Sequence, residues 1–358
     1  MALTQQSKEI VKSVVSRCRN SAIPEIFFRW GRLNNANLNR QSFSGAKHQI
    51  ISKILKLIQE EACDLNDEII GELELVYTQL ESRSTIWKVY KLTGTDLNLN
   101  LDPRTLRSKL QQSLELKWKD GCVYGNMRMF AGGVWLRMHM SLSLAQGNGG
   151  KKTGAYQAKN SVFVVTFPGS PYVMVSKAGV KLVKLVTEAI SSVMNAASLV
   201  DIQLSGKHVA SLADIVLRKD SKVSISSTYR DKEEAENPLI EKQPRKRKAP
   251  EEEFLDSENI VDEDREEKRL RIETVVNKFG YEPQPVLERL SYSFDIKFHG
   301  EEMDTTCKSS VEIRGKSTLE GICQLAKTGL TKFPLPAHIG SITSSCLRNS
   351  FTIQNKKK

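Results

Sequence analysis

Apolar residues recur at helical spacing through the opening of the chain: Ile10, Val11, Val14 and Val15, then Ile50, Ile51, Ile54, Leu55 and Ile58, with Lys and Arg between them. That period gives each segment one apolar stripe, the mark of an amphipathic helix. Pro24 suits the first turn of another helix carrying Ile26, Phe27 and Trp30, and Asn34, Asn35, Ser42 and Ser44 are turn or cap residues. A further helix from Asn66 through Tyr77 follows the acidic turn at Asp64. Residues 1–92 are therefore expected to form a helical bundle of about five or six short helices, the size of a death fold.

Beyond Gly94 the pattern changes. Asp102-Pro103 opens a helix to Leu116, and Val134-Trp135-Leu136-Arg137-Met138-His139-Met140 then alternates as a strand does. The run Ser161-Val162-Phe163-Val164-Val165-Thr166-Phe167 is β-branched and aromatic and stops at Pro168-Gly169. Pro171 to Val175 reads as another strand, and Val180 to Ala197 as an amphipathic helix ahead of the region Ile202 to Leu217. Residues 93–228 are thus expected to be an α+β domain on a mostly antiparallel sheet. Trp30, Trp87 and Trp135 sit within apolar patterns and are expected in cores rather than as stacking platforms for bases.

In residues 229–271, 26 of 43 positions are charged and aromatics are scarce, so too little apolar area is at hand to offset the entropy of ordering. The stretch is expected to be a disordered linker. Order should resume with a short helix from Ile272 to Phe279, a strand at Tyr292 to Phe298, Val311-Glu312-Ile313, a helix from Ser317 to Ala326, and Ser350 to Ile353. About eighty residues with this little core are marginal alone, so residues 272–358 are expected to share a sheet or core with a partner.

Charge sharpens this picture because it is segregated. The net charge is +11; residues 1–60 carry ten Lys/Arg against three Asp/Glu, and residues 101–222 seventeen against seven. Residues 61–90 hold seven acidic against two basic side chains, and 229–271 fifteen against eleven. Positive charge concentrated on folded segments is what a polyanion binder needs, since each neutralised phosphate releases counterions. Any single cation is equally explained as part of a solvated helix face. Within the linker, Arg245, Lys246, Arg247 and Lys248 form a compact basic run of the type that nuclear import receptors read and nucleic acid attracts, the bland alternative being a solvated chance cluster in a charged linker. No apolar run approaches the ~20 residues of a membrane span, and no leader pattern opens the chain, so a nuclear or cytosolic protein is expected.

Motifs for catalysis fail on inspection. Gly315-Lys316-Ser317 follows a strand and opens a helix, but Ser310 stands where a phosphate loop needs its first glycine. Gly147 to Thr153 lacks the Gly-Lys-Ser/Thr ending and reads as a hairpin loop. His48, His139, His208, His299 and His338 are isolated, and carboxylate pairs fall in acidic runs expected to be solvated. Six scattered cysteines have no metal-ligand spacing and read as reduced thiols. No enzyme activity, cofactor or metal is expected.

Several dispersed segments nonetheless lie in a recognisable order. Pro24 and Trp30 precede Phe43; Val134-Trp135-Leu136-Arg137 and Pro171-Tyr172 follow; Leu204 leads to Val209-Ala210-Ser211-Leu212. Phe279-Gly280 with Pro283-Gln284-Pro285, then Pro334-Leu335-Pro336 and Asn349 to Ile353, complete the series. Together they resemble the centromere protein N family, of which this chain would be a divergent member over nearly its whole length.

The resemblance implies a pyrin-like first domain and an α+β homology domain that together read nucleosomes carrying the centromeric histone variant. It further implies a C-terminal region pairing with centromere protein L, beside other inner-kinetochore subunits. By position in the family's motifs, Lys12 and Arg17 on the first helix and Lys47 are DNA contacts, with Lys8 beside them. The family's Leu-Arg-x-Arg segment is Leu204-Ser205-Gly206-Lys207 here, which retains one cation, and a lysine before the Ile-Trp pair is Thr85, with Arg83 as its substitute. Lys8, Arg19 or Lys53 would compensate for the missing charges. Glu9 matches an acidic position that faces an arginine of the histone's surface loop, while the second such position is Gln5, uncharged. From the residues alone, Glu9 is equally a solvated neighbour of Lys12 or Ser13. The competing class is a generic nuclear DNA-binding or adaptor protein without selectivity for the histone variant.

Overall fold

A computed structural model describes residues 5–33, 43–61, 67–81, 85–119, 121–145, 151–153, 156–223, 265–280, 283–299, 304–331, 335, 339, 342 and 349–353. The chain is mixed helix and mostly antiparallel sheet, in two compact units, Met1–Val209 and Ala210–Lys358.

The first unit opens with helices α1 (Gln5–Arg17), α2 (Ile23–Trp30), α3 (Lys47–Glu61) and α4 (Asp67–Leu80), four among the described residues where the pattern predicts five or six. Pro24 sits in the first turn of α2, and Gly31 ends the helix at φ 67°, a left-handed conformation that glycine adopts without penalty. Their apolar stripes meet in one core holding Ile10, Val14, Phe27, Trp30, Ile54 and Leu73.

Strand β1 (Trp87–Thr93) follows, then α5 (Pro103–Lys117), β2 (Gly121–Phe130), β3 (Gly133–Ala145), β4 (Lys151–Thr153), β5 (Ser161–Thr166), β6 (Tyr172–Ser176), α6 (Val180–Val193) and β7 (Ser198–Gly206). The seven strands form one sheet in the order β2-β3-β5-β6-β1-β7, with β4 beside β3. The expected strands at 134–140, 161–167 and 171–175 are present as β3, β5 and β6. Trp87–Thr93, left within the helical segment by the sequence pattern, is instead paired on both sides, with β6 and with β7. Its alternation is diluted by Lys88 and Lys91 on the solvent side, and the buried members are Trp87, Val89 and Leu92.

Alternation along β3 divides its side chains between two covered faces. Val134, Leu136, Met138 and Met140 join Leu106, Leu110 and Leu114 of α5 and Val186 and Ile190 of α6 in a second core. Asp102 accepts a hydrogen bond from the Thr105 amide at 3.1 Å and so caps α5, as Asp before Pro at a helix start suggests. The opposite β3 face carries Trp135, Arg137, His139 and Ser141, all buried, and α4 packs against β2 and β3. Gly71 of α4 permits that approach, because a Cβ there would meet the Asn126 side chain of β2. Trp30, Trp87 and Trp135 are core residues, the last two in edge contact at 5.5 Å.

The second unit contains α7 (Val209–Val223, its first residue at the division), α8 (Arg265–Phe279), the hairpin β8 (Arg289–His299) and β9 (Asp304–Arg314), α9 (Thr318–Lys327) and β10 (Ser350–Ile353). β10 lies parallel to β8 and β9 antiparallel to it, in the order β10-β8-β9. The linker expected over 229–271 needs correction at its end, since Arg265–Arg271 are the first turns of α8. That helix buries Arg271, Val275 and Phe279 at four-residue spacing. The stripe begins with an arginine, whose Nε donates to the Lys327 carbonyl at 3.2 Å, so a hydropathy pattern starts the helix too late. Residues 224–264, with the basic run Arg245 to Lys248, lie outside the described residues, as do Asn34, Asn35, Ser42, Arg83 and residues 146–150; the end of the expected hairpin loop, Lys151–Thr153, is strand β4.

Candidate functional site

Register in the sheet gathers cations at one end of the first unit. Ser176, last in β6, pairs with Trp87, which pairs in turn with Gly206, last in β7. Lys177 and Lys207 therefore leave the ends of the two strands that flank β1, roughly 10 Å apart by the spacing of two strand intervals. An irregularity between Val89 and Tyr90, with Gln203 at φ 58° on β7, realigns Leu204–Gly206 before Lys207. Beside Lys177 opens a cleft of about 460 Å³ lined by Arg17, Thr85, Ile86, Lys159, Ser161, Lys177 and Gly179, among others. Gly179 precedes α6, whose first amides have no side-chain cap, adding the positive end of a helix dipole to the cleft. The Lys159 and Lys177 side chains are exposed and make no hydrogen bond or ion pair among the described residues, while the Lys177 amide donates to the Ile86 carbonyl at 2.7 Å.

Behind the cleft lies a buried ionic cluster. Glu74 of α4 is 1% exposed; its Oε1 accepts from Arg17 Nη2 at 2.8 Å and from the Tyr156 hydroxyl. Its Oε2 accepts from Arg137 Nε at 2.6 Å and from Ser161 Oγ at 3.3 Å. Burial by itself would raise this carboxyl, but the two guanidiniums and the hydrogen bonds from Tyr156 and Arg137 outweigh it and hold the pKa down to about 2. Glu74 thus corrects the expectation that the acidic segment is solvated throughout. Arg137 also donates to Asn126 Oδ1 at 2.9 Å. His139 lies within hydrogen-bond distance of Ser161 Oγ, 3.0 Å from Nδ1, and burial together with Arg137 lowers its pKa to about 3, leaving a neutral structural imidazole. The Cys18 thiol is pushed up to about 12, chiefly by burial, and is inert as a nucleophile at neutral pH. Among the described residues no group of three or more His, Cys, Asp or Glu is placed to hold a metal ion, and no helix is long and apolar enough to cross a membrane.

The residues named from sequence divide accordingly. Arg17 lines the cleft, its Nε donating to the Ser13 carbonyl at 3.0 Å and its guanidinium 4.8 Å above the Tyr77 ring. Lys8 and Lys12 lie on the same helix, partly buried and exposed respectively. Lys47 Nζ donates to the Ser16 carbonyl at 2.6 Å, capping the end of α1. Glu9 accepts from Gln5 Nε2 at 3.0 Å and, through its other oxygen, from the Tyr156 amide at 2.9 Å. Each oxygen retains an acceptor site. Sequence reasoning missed Lys159 and Lys177; the one available signal is that Lys177, like Lys207, directly follows a strand ending in a small residue.

Residues 5–336 match the family described as Centromere protein Chl4/mis15/CENP-N. The chain belongs to that family of centromere proteins. Centromere protein N of Mus musculus is 25% identical over 363 residues, covering 97% of this chain and 98% of the relative. The Gallus gallus protein is 24% identical over 362 residues (98% and 95% covered), and the Homo sapiens protein 22% over 363 (97% and 98%). Low identity along the full length makes this a divergent Chl4/mis15/CENP-N member.

Proposed function

We propose that this chain is a non-enzymatic inner-kinetochore protein that binds nucleosomes carrying the centromeric histone variant and supports kinetochore assembly and chromosome segregation in the nucleus. The observation that carries the reading is the set of cations at one sheet end, Arg17, Lys159, Lys177 and Lys207, in a chain of the centromere protein family. Phosphate contacts position a protein on DNA without reporting which histone is wrapped. Selectivity falls to Gln5 and Glu9 in a pyrin-like first domain, where a carboxylate facing a guanidinium would form charge-assisted bonds of about 1.5 to 3 kcal/mol each. Lys8, Lys12, Lys47 and Arg83 extend the DNA-facing surface, and Arg245 to Lys248 direct nuclear entry. Residues 272–358 pair with a centromere protein L-like subunit; the outer edges of β9 and β10, which pair with no other strand among the described residues, are suited to that contact.

A second reading, a nuclear DNA-binding adaptor indifferent to the histone, is favoured by one observation: both Glu9 oxygens already serve internal hydrogen bonds. Binding of the full chain to matched nucleosomes, with the variant or the conventional histone, across a salt series separates the two. Preference for the variant that persists at higher salt and is lost in Glu9→Lys supports the first reading. Equal binding to both nucleosomes and to free DNA, collapsing with salt, supports the second.

A further inference from the structure

Every acceptor position of the Glu74 carboxylate is used, and its donors bracket the cleft. Tyr156 and Ser161 stand at either side of the 3-10 turn Ala158–Asn160, and both donate to this one carboxylate, so the turn that bears Lys159 is fastened at both ends. The Glu9 bond to the Tyr156 amide and the Tyr156 ring packed 4.9 Å from His139 hold the first of those fastenings from other directions. Arg17 is fixed in parallel, by Glu74, by the Ser13 carbonyl and by the face of Tyr77. Its Nη1 edge has no partner among the described residues, on a side chain 38% exposed that lines the cleft.

We infer that Glu74 is a positioning residue for the nucleic-acid cleft: it touches no phosphate itself but sets Arg17 and the Lys159 turn in the geometry that does. The inference rests on the reading of the cleft as a phosphate-binding surface. Its physical basis is that cations on long side chains lose rotamer freedom on binding, and a surface already ordered gives up less of it. It also reverses an electrostatic expectation. Removing a negative charge from a DNA-binding protein should strengthen binding through the overall field; removing this one should weaken it.

The test is full-chain binding to a short labelled DNA duplex over a salt series, comparing wild type with Glu74→Gln, Tyr156→Phe and Lys177→Ala, with thermal melting to verify folding. Expected are a loss of about three- to tenfold in affinity for Glu74→Gln despite its added net positive charge, and a shallower salt slope by about one. Tyr156→Phe, which changes no charge and stands in if Glu74→Gln fails to fold, should lose a smaller factor. In the Tyr156→Phe background Lys159→Ala should cost less than it does alone. If Lys177→Ala weakens binding while the folded Glu74→Gln variant and Tyr156→Phe bind as tightly as wild type, the positioning role is overturned and the cleft reading stands. If Lys177→Ala itself leaves affinity and slope unchanged, the cleft is not the phosphate surface, and this inference falls with it.

Discussion

One glutamate between two arginines occurs in both units, in opposite surroundings. In the first, Glu74 lies at 1% exposure between Arg137, equally buried, and Arg17. In the second, Glu312 takes Arg289 and Arg314 across the open face of the β8–β9 hairpin, with the arginine side chains 60% and 72% exposed. Chemistry alone would rank them alike. Burial separates them, because in water each ion is already solvated and the pair gains little, whereas in the interior the removal of one partner strands the other. The Glu74 cluster therefore specifies how α4 meets the sheet, and the Glu312 cluster decorates a surface.

The largest expected effect follows from removing the fully buried cation beside Glu74, which leaves the half-exposed Arg17 as its one arginine. Arg137→Ala should destabilise the first unit by about 3 to 5 kcal/mol, read as a loss in chemical denaturation that Arg137→Lys only partly restores. Acid should act on the same place. His139 has its folded pKa below its unfolded one, so an unfolded chain takes up a proton that the folded chain refuses once the pH drops below about 6.5. Glu74, also depressed, contributes stability that is complete above its ordinary pKa of 4.5 and is lost as pH falls toward about 2. Both terms have the same sign, so the melting temperature should decline from near pH 6.5 and more steeply below 4.5. His139→Gln should remove the upper part of that decline.

Gly71→Ala sets packing against propensity. A helix interior gains about 1 kcal/mol from the change on propensity alone, yet the new Cβ would press on Asn126, which in turn holds Arg137. Overpacking of this kind costs about 1 to 3 kcal/mol, so net destabilisation is expected. Stabilisation would mean that α4 can move off β2 and that the ionic cluster tolerates slack. At the other end of the scale, Arg314→Ala should leave the melting curve of the full chain unmoved, since Arg289 remains with Glu312 at the surface. A clear loss there would erase the contrast between the two clusters.

How far the sequence carried these features depends on what each element shows to water. β5 and β6 are buried at every position and read as apolar runs, and α5 announces itself by Asp102-Pro103 and leucines four apart. β1 and β2 were illegible because buried polar work and solvent-side lysines interrupt their alternation, Asn126 being the clearest case at 2% exposure. α8 was misplaced for a related reason, its buried stripe beginning at Arg271. The set of sheet-end cations is half legible. Arg17 and Lys207 follow from the order of motifs, but Lys159 and Lys177 join them only through strand register and a turn fastened to a glutamate far away in sequence, and no local pattern encodes either.

Contact between these sheet-end cations and phosphate is tested by the salt slope of full-chain nucleosome binding for wild type and Lys159→Ala/Lys177→Ala. Both lysine side chains are exposed and make no hydrogen bond or ion pair among the described residues, and alanine keeps the Lys177 amide bond to Ile86, so the double variant should melt as wild type does. The double variant should bind more weakly, with a slope of log affinity against log salt shallower by about two, one per lost contact. An unchanged slope, with affinity intact, would contradict it and move the nucleic-acid surface elsewhere on the molecule.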